Sequence, residues 1–215
     1  MARFIALFLI ALSSTVCGAG QPPRGPATQP AVSIRGIDGQ VYQPLAASAN
    51  HAVVLVFVLQ DCPICNAYAP ELQRLRADAA PKHVAFYLVQ VDPAMSDQVA
   101  RAHAKEFGYT CPVLIDRRHE LVGRLNIVAV PTAVVLDSDG AVQYHGRVDD
   151  KYFALGKSRE EPARHDLSDA VSDVLAHRPV REPRTRTVGC AVPELPKSET
   201  RSRKPETSSK AKTSK

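Results

Sequence analysis

Residues 51–59 read His-Ala-Val-Val-Leu-Val-Phe-Val-Leu, an almost unbroken run of apolar side chains rich in β-branched valine. A strand with one wet face alternates polar and apolar residues, so this run predicts a strand covered on both faces at the centre of a sheet. Such a strand needs layers on either side, and the following chain supplies them. Tyr68, Leu72 and Leu75 recur at helical spacing with Arg74 and Arg76 on the wet side, which predicts a helix over Asn66 to Ala79. Val84 to Val91 reads as a second buried strand, and Ser96 to Phe107 as a helix with Ser96 as N-cap and Gly108 as stop. Pro112 to Ile115 predicts a short strand, Glu120 to Leu125 a short helix, and Thr132 to Leu136 a strand. Asp139-Gly140 turns this last strand into Ala141 to Arg147, and His165 to Ala176 closes the pattern as an amphipathic helix. Ahead of the central run, Val32 to Ile37 and Gln40 to Leu45 flank an Asp38-Gly39 turn. Strands alternating with helices give an α/β chain, with a mixed central sheet flanked by helices and an N-terminal β-hairpin.

The ends differ in kind. Residues 1–20 place Arg3 before an apolar stretch, Phe4 to Val16, and then small residues, the layout of a secretory signal peptide. Thirteen residues fall short of the roughly 20 a membrane-crossing helix needs, so removal on export is expected, with no stable span afterwards and a periplasmic or extracellular destination. Residues 21–30 form a proline-rich linker, and 31–178 should fold as one domain. Residues 179–196 form an extension carrying Cys190. The tail, 197–215, holds seven Lys or Arg against two Glu, and that surplus of five equals the net charge of the whole chain. A tail so polar cannot bury enough apolar surface to fold, and the neutral remainder offers no basic face for nucleic acid.

Asp61-Cys62-Pro63-Ile64-Cys65-Asn66 sits where the central strand gives way to a helix. Two cysteines separated by two residues on a first helical turn can close a disulfide, and the turn's free N–H groups stabilise a thiolate on the first sulfur. A lowered pKa makes Cys62 both nucleophile and leaving group, and Cys65 is positioned to resolve a mixed disulfide from within the chain. The bare CxxC spacing is common; the strand-to-helix context sharpens it.

Cys62-Pro63-Ile64-Cys65, Pro70 five residues later, and Val130-Pro131-Thr132 before a strand and hairpin together resemble the thioredoxin fold over about residues 31 to 178. The closest likeness is to exported thiol-disulfide oxidoreductases and redoxins related to the alkyl hydroperoxide reductase group. The resemblance implies a cis-proline at Pro131 facing the disulfide and a peptide-binding surface around Pro63, Ile64, Val130 and Pro131. It also implies protein thiols and disulfides as substrates, a redox partner protein, and no cofactor. Two features depart from it. Asp61 stands where thioredoxin usually has an aromatic residue, and its charge opposes a thiolate on Cys62. The strand His51 to Leu59 also lacks a buried carboxylate for proton transfer; Asp61 is an alternative acid, against the plainer reading of an exposed loop residue.

Other readings meet the same residues. A zinc site would need two further ligands, yet Cys111 and Cys190 stand alone, and covalent haem would need His where Asn66 is. A module of this fold could also be redox-inactive, or bind copper, for which it would rely on His145 with the thiolates. A peroxiredoxin-like antioxidant protein would need a hydroxyl residue three before Cys62, where the chain has Leu59. Cys111 reads as a small buried apolar group. Cys190, flanked by Val188, Ala191 and Val192, reads either as packing back on the domain as an auxiliary thiol or an intermolecular link, or as an incidental cysteine in a loose tail. Tyr152, Phe153 and Leu155 lie in a long loop, residues 149–164, as anchors or as the lining of a partner groove.

Overall fold

The computed structural model describes residues 32–196. The signal peptide expected for 1–20, the linker for 21–30 and the basic tail for 197–215 lie outside the described residues.

At the centre runs β3 (Ala52–Val58), all seven of whose residues are buried, after a short hairpin of β1 (Ile34–Arg35) and β2 (Val41–Tyr42). It pairs in parallel with β4 (Val84–Gln90), which in turn takes β5 (Val113–Ile115) in parallel. On the other side β3 pairs antiparallel with β7 (Thr132–Asp137), and β7 with β8 (Val142–Gly146). The sheet order is therefore β5-β4-β3-β7-β8, mixed, with the apolar run in the middle. Its unbroken hydrophobicity follows from that position, since helices cover both faces.

Three helices follow their sequence signals closely. In α3 (Asp97–Glu106) the Ser96 hydroxyl accepts from the Val99 amide at 3.2 Å, and Gly108 beyond its end takes φ +66°. The short α4 (Glu120–Leu125) is capped by Asp116, whose buried carboxylate accepts from the amides of Glu120, Leu121 and Val122 at 2.8–2.9 Å. The last helix, α5 (Asp166–Leu175), buries Leu167, Ala170 and Val174 against the sheet.

The first helix differs from expectation. It begins earlier, as α1 (Pro63–Ala67), and breaks at Tyr68 before resuming as α2 (Ala69–Ala79). Pro70 has no N–H to give to the Asn66 carbonyl, so the ladder is interrupted where the sequence carries it. The expected loop 149–164 also holds a small hairpin, β9 (Tyr152–Ala154) with β10 (Lys157–Ser158). Tyr152 anchors it edge-on against Tyr68, with ring centroids 5.3 Å apart, while Phe153 and Leu155 stay exposed.

Beyond α5 the chain turns back along the domain. His145 on the edge strand β8 donates its amide to Pro183 at 2.9 Å and accepts from Thr185 at 3.2 Å. The segment then crosses to β6 (Ala129–Val130), which it joins as β11 (Cys190–Ala191), antiparallel, with Cys190 opposite Val130. Val180, Cys190 and Val192 pack against the main core. Among the described residues no helix is long and apolar enough to cross a membrane.

Candidate active site

Cys62 is the N-cap residue of α1, four positions past the end of β3, and Cys65 sits one turn into the helix. Pro63 at the first helical position costs nothing, because that N–H has no intrahelical acceptor. Both cysteines are almost wholly buried, at 0% and 1% exposure. The Val130–Pro131 peptide is cis, as the resemblance implies, and the Cys62 thiol reaches the Val130 carbonyl at 3.9 Å. Of the four residues expected to meet a substrate peptide, Pro63 is exposed and Ile64 half-buried, whereas Val130 and Pro131 are buried.

The electrostatics separate the two thiols. A hydrogen bond from the Cys65 thiol is the main influence holding Cys62 down, to about 5; burial opposes it, and the thiol and amide of Cys190 and the Cys65 amide add to it. Cys65 is pushed far upward by donating to Cys62 and by its own burial. The two thiols are thus pulled apart, Cys62 toward the thiolate and Cys65 toward the protonated donor. Cys190 is raised to about 11, first by burial and then by its bond to Cys62. Cys111 is likewise raised to about 11 by burial and only packs against the core.

Asp61 is exposed. Beneath the helix lies a polar chain that the motif reading missed. Asn66 donates to the Gln60 carbonyl at 2.8 Å and accepts from His103 Nε2 at 3.0 Å, while His103 Nδ1 accepts from Gln90 at 3.1 Å. These partners are mutually consistent for a neutral imidazole, and burial lowers the His103 pKa to keep it so. Its signal was present in the sequence: His103 shares the inward helical face with Ala100, Ala104 and Phe107. The Tyr109 hydroxyl is buried without a partner among the described residues, and burial raises its pKa. Tyr68 donates to the buried Asp149, tying the helix break to the 149–164 loop.

His145, the residue on which a copper reading relied, is turned to the Leu125 carbonyl at 3.1 Å. Among the described residues no group of three or more His, Cys, Asp or Glu is arranged to hold a metal ion.

The Redoxin family model matches residues 26–157 of this chain. The chain belongs to the redoxin family. A curated relative, the thioredoxin-like protein YneN of Bacillus subtilis, is 25% identical over 114 residues, covering 53% of this chain and 66% of its own length. Among solved structures, an uncharacterised conserved protein from Geobacillus kaustophilus superposes with a TM-score of 0.68 at 26% identity, over 78% of this redoxin and 90% of that chain. A hypothetical protein from Sinorhizobium meliloti gives 0.65 at 20% identity, over 75% and 90%. The fold is thioredoxin-like. The part of this redoxin that joins β6, with Cys190, lies outside the matched residues 26–157.

Proposed function

We propose that the chain is an exported thiol-disulfide oxidoreductase that exchanges disulfides with protein substrates, Cys62 attacking and Cys65 resolving. The observation that carries this reading is the placement of Cys62 at the N-cap of α1 with Cys65 one turn in and the cis Val130–Pro131 peptide facing the Cys62 sulfur, whose pKa the Cys65 thiol lowers. The Cys62 thiolate attacks one sulfur of a substrate disulfide, and the other sulfur leaves as a thiolate that takes a proton. Once Cys62 is in the mixed disulfide its charge is gone, and with it the main influence that kept Cys65 protonated. Cys65 then loses its proton, attacks the Cys62 sulfur and releases the substrate's remaining thiolate, leaving Cys62–Cys65 oxidised. Two electrons from a redox partner protein restore the dithiol. Pro63, Ile64, Val130 and Pro131 are the proposed contact surface for the peptide around the substrate disulfide. Export rests on the sequence of residues 1–20 and the oxidising compartment it implies.

Insulin reduction by the dithiol form tests the reading. Cys62→Ser should abolish turnover, and Cys65→Ser should accumulate a disulfide on Cys62 that it cannot resolve through Cys65. Equal turnover in all three proteins rejects the mechanism.

A further inference from the structure

Cys62 is completely shielded from solvent, although its proposed role requires a foreign sulfur to reach it. The chain's own C-terminal segment supplies the shield. Residues 183–192 form a strap along the β8 edge and across the mouth of the site, held by polar contacts and by the apolar packing of Cys190 and Val192 on the core. Thr185 Oγ1 bonds the Tyr144 hydroxyl at 2.7 Å and accepts from the Arg147 amide at 3.0 Å. Thr187 meets Thr132 hydroxyl to hydroxyl at 2.8 Å, and Val192 donates to the Val128 carbonyl at 3.2 Å. Between these anchors the strap pairs as a strand with β6, which sets Cys190 opposite Val130, the residue whose carbonyl the Cys62 sulfur reaches at 3.9 Å.

Gly189 permits this approach. A Cβ built there would lie 1.8 Å from the Val130 carbonyl oxygen and 3.1 Å from Pro131 Cδ, so any other residue would have to lift the strap. Addition of an extended segment to an exposed strand edge is a general way for proteins to hold a peptide. Here the added segment delivers a thiol to the sulfur that performs the exchange.

We propose that the strap is a built-in substrate, and that Cys190 is a third exchange thiol forming an internal disulfide with Cys62. The inference rests on the exchange chemistry proposed above and specifies how that site is regulated. When Cys62–Cys65 is oxidised, after two electrons have passed to a substrate disulfide, the Cys190 thiol loses its proton and attacks the Cys62 sulfur. The Cys62–Cys65 bond breaks, the Cys62–Cys190 bond forms, and Cys65 leaves as a thiolate that takes up a proton. No electrons are gained or lost, so the step needs no further oxidant. It clamps the strap over the site; attack by Cys65 on Cys62 reverses it and frees Cys190. A protein substrate competes with the strap for the Val130 edge and reacts only while the strap is lifted.

The test uses the full chain and oxidised glutathione, which forms the Cys62–Cys190 bond in Cys65→Ser by two successive exchanges that release two molecules of glutathione. Non-reducing peptide mapping of Cys65→Ser should find Cys62 joined to Cys190 within a monomer in most of the protein. Adding Gly189→Ala or Cys190→Ser should leave Cys62 carrying glutathione instead, with residue 190 alkylatable in the former variant. In the otherwise unaltered chain, Gly189→Ala should speed insulin reduction on the order of tenfold, the factor expected if the strap is lifted about one-tenth of the time. A stable glutathione adduct on Cys62 of Cys65→Ser with Cys190 freely alkylated overturns the inference. So does an undiminished Cys62–Cys190 yield with an unchanged insulin rate after Gly189→Ala. If the unaltered chain reduces insulin while the internal bond never forms, only the strap proposal fails. An internal bond in Cys65→Ser, together with no insulin turnover by any variant, supports the strap and removes the proposed function.

Discussion

The central sheet and the C-terminal strap both pair strand to strand, but they are held by different forces. In β3 every side chain is apolar and shielded to within 3% of complete burial, so its pairing is backed by dispersion and by apolar surface removed from water. The strap pairs over two residues of β6, packs Cys190 and Val192 on the core, and otherwise depends on threonine hydroxyls and backbone amides that meet β8 and the start of β7. A net hydrogen bond contributes only about 0.5–1.5 kcal/mol, so a few of them hold a segment that can open without the sheet. The comparison teaches that the Cys62 sulfur lies between a wall held by the core and a strap held by far fewer contacts.

Breaking the core-held wall should have the largest effect on stability. Leu55→Ala removes a fully buried side chain from the middle strand, and should cost about 2–5 kcal/mol in urea unfolding. Amide exchange in the strap should keep its protection until the global loss overtakes the free energy of local opening. Strap amides that lose as much protection as those of β3 even in mildly destabilised variants would show one cooperative unit.

A smaller change should loosen the strap selectively. Thr185→Val keeps the shape but deletes the contacts to Tyr144 and Arg147, and should lower the opening free energy of residues 183–192 by about 1–3 kcal/mol. Hydrogen exchange reads this directly; protection of the strap unchanged within error would assign its hold to the apolar contacts of Val180 and Val192 instead.

The charge on Cys62 offers a gentler probe. Its folded pKa is depressed below the thiol's ordinary value of 9.0, to about 5, so the thiolate contributes stability that is full above pH 9 and disappears as pH falls through 5. The unfolding free energy of the reduced chain, relative to Cys62→Ser, should therefore rise with pH across that window. Cys190→Ala removes one thiol donor and keeps the amide, so the pH at which Cys62 becomes alkylatable should move upward, less than it would on losing Cys65. A flat difference curve, or no movement in Cys190→Ala, contradicts the assigned hydrogen bonds.

The smallest effect belongs to the outer surface. Arg74 pairs with Glu71 at 2.6 Å and Asp78 at 2.7 Å on the exposed side of α2, and Arg74→Ala should change stability by about 0.2–1 kcal/mol without touching the site. A loss as large as that of Leu55→Ala would place the helix surface in the same class as the core.

Periodicity and local chemistry determined much of this protein. The apolar run placed β3 at the centre, Ser96 and Gly108 bounded α3, and the cysteine spacing beyond a buried strand located the thiols, because each of these depends on neighbours a few residues away. The break at Tyr68 was available in Pro70 and was overridden by the strength of the apolar spacing. The tertiary structure alone decided the rest. Asn66, His103 and Gln90 meet across an interval of 37 residues, and Cys190 reaches the Val130 edge beside Cys62, 128 positions from it in the chain. The sequence around Cys190 shows an apolar footing but no address, since the pairing partner Val130 is chosen by the register of an edge strand and by the room a glycine leaves beside it. Contacts of that kind depend on how finished elements pack, and packing is a property of the whole fold that no local pattern carries.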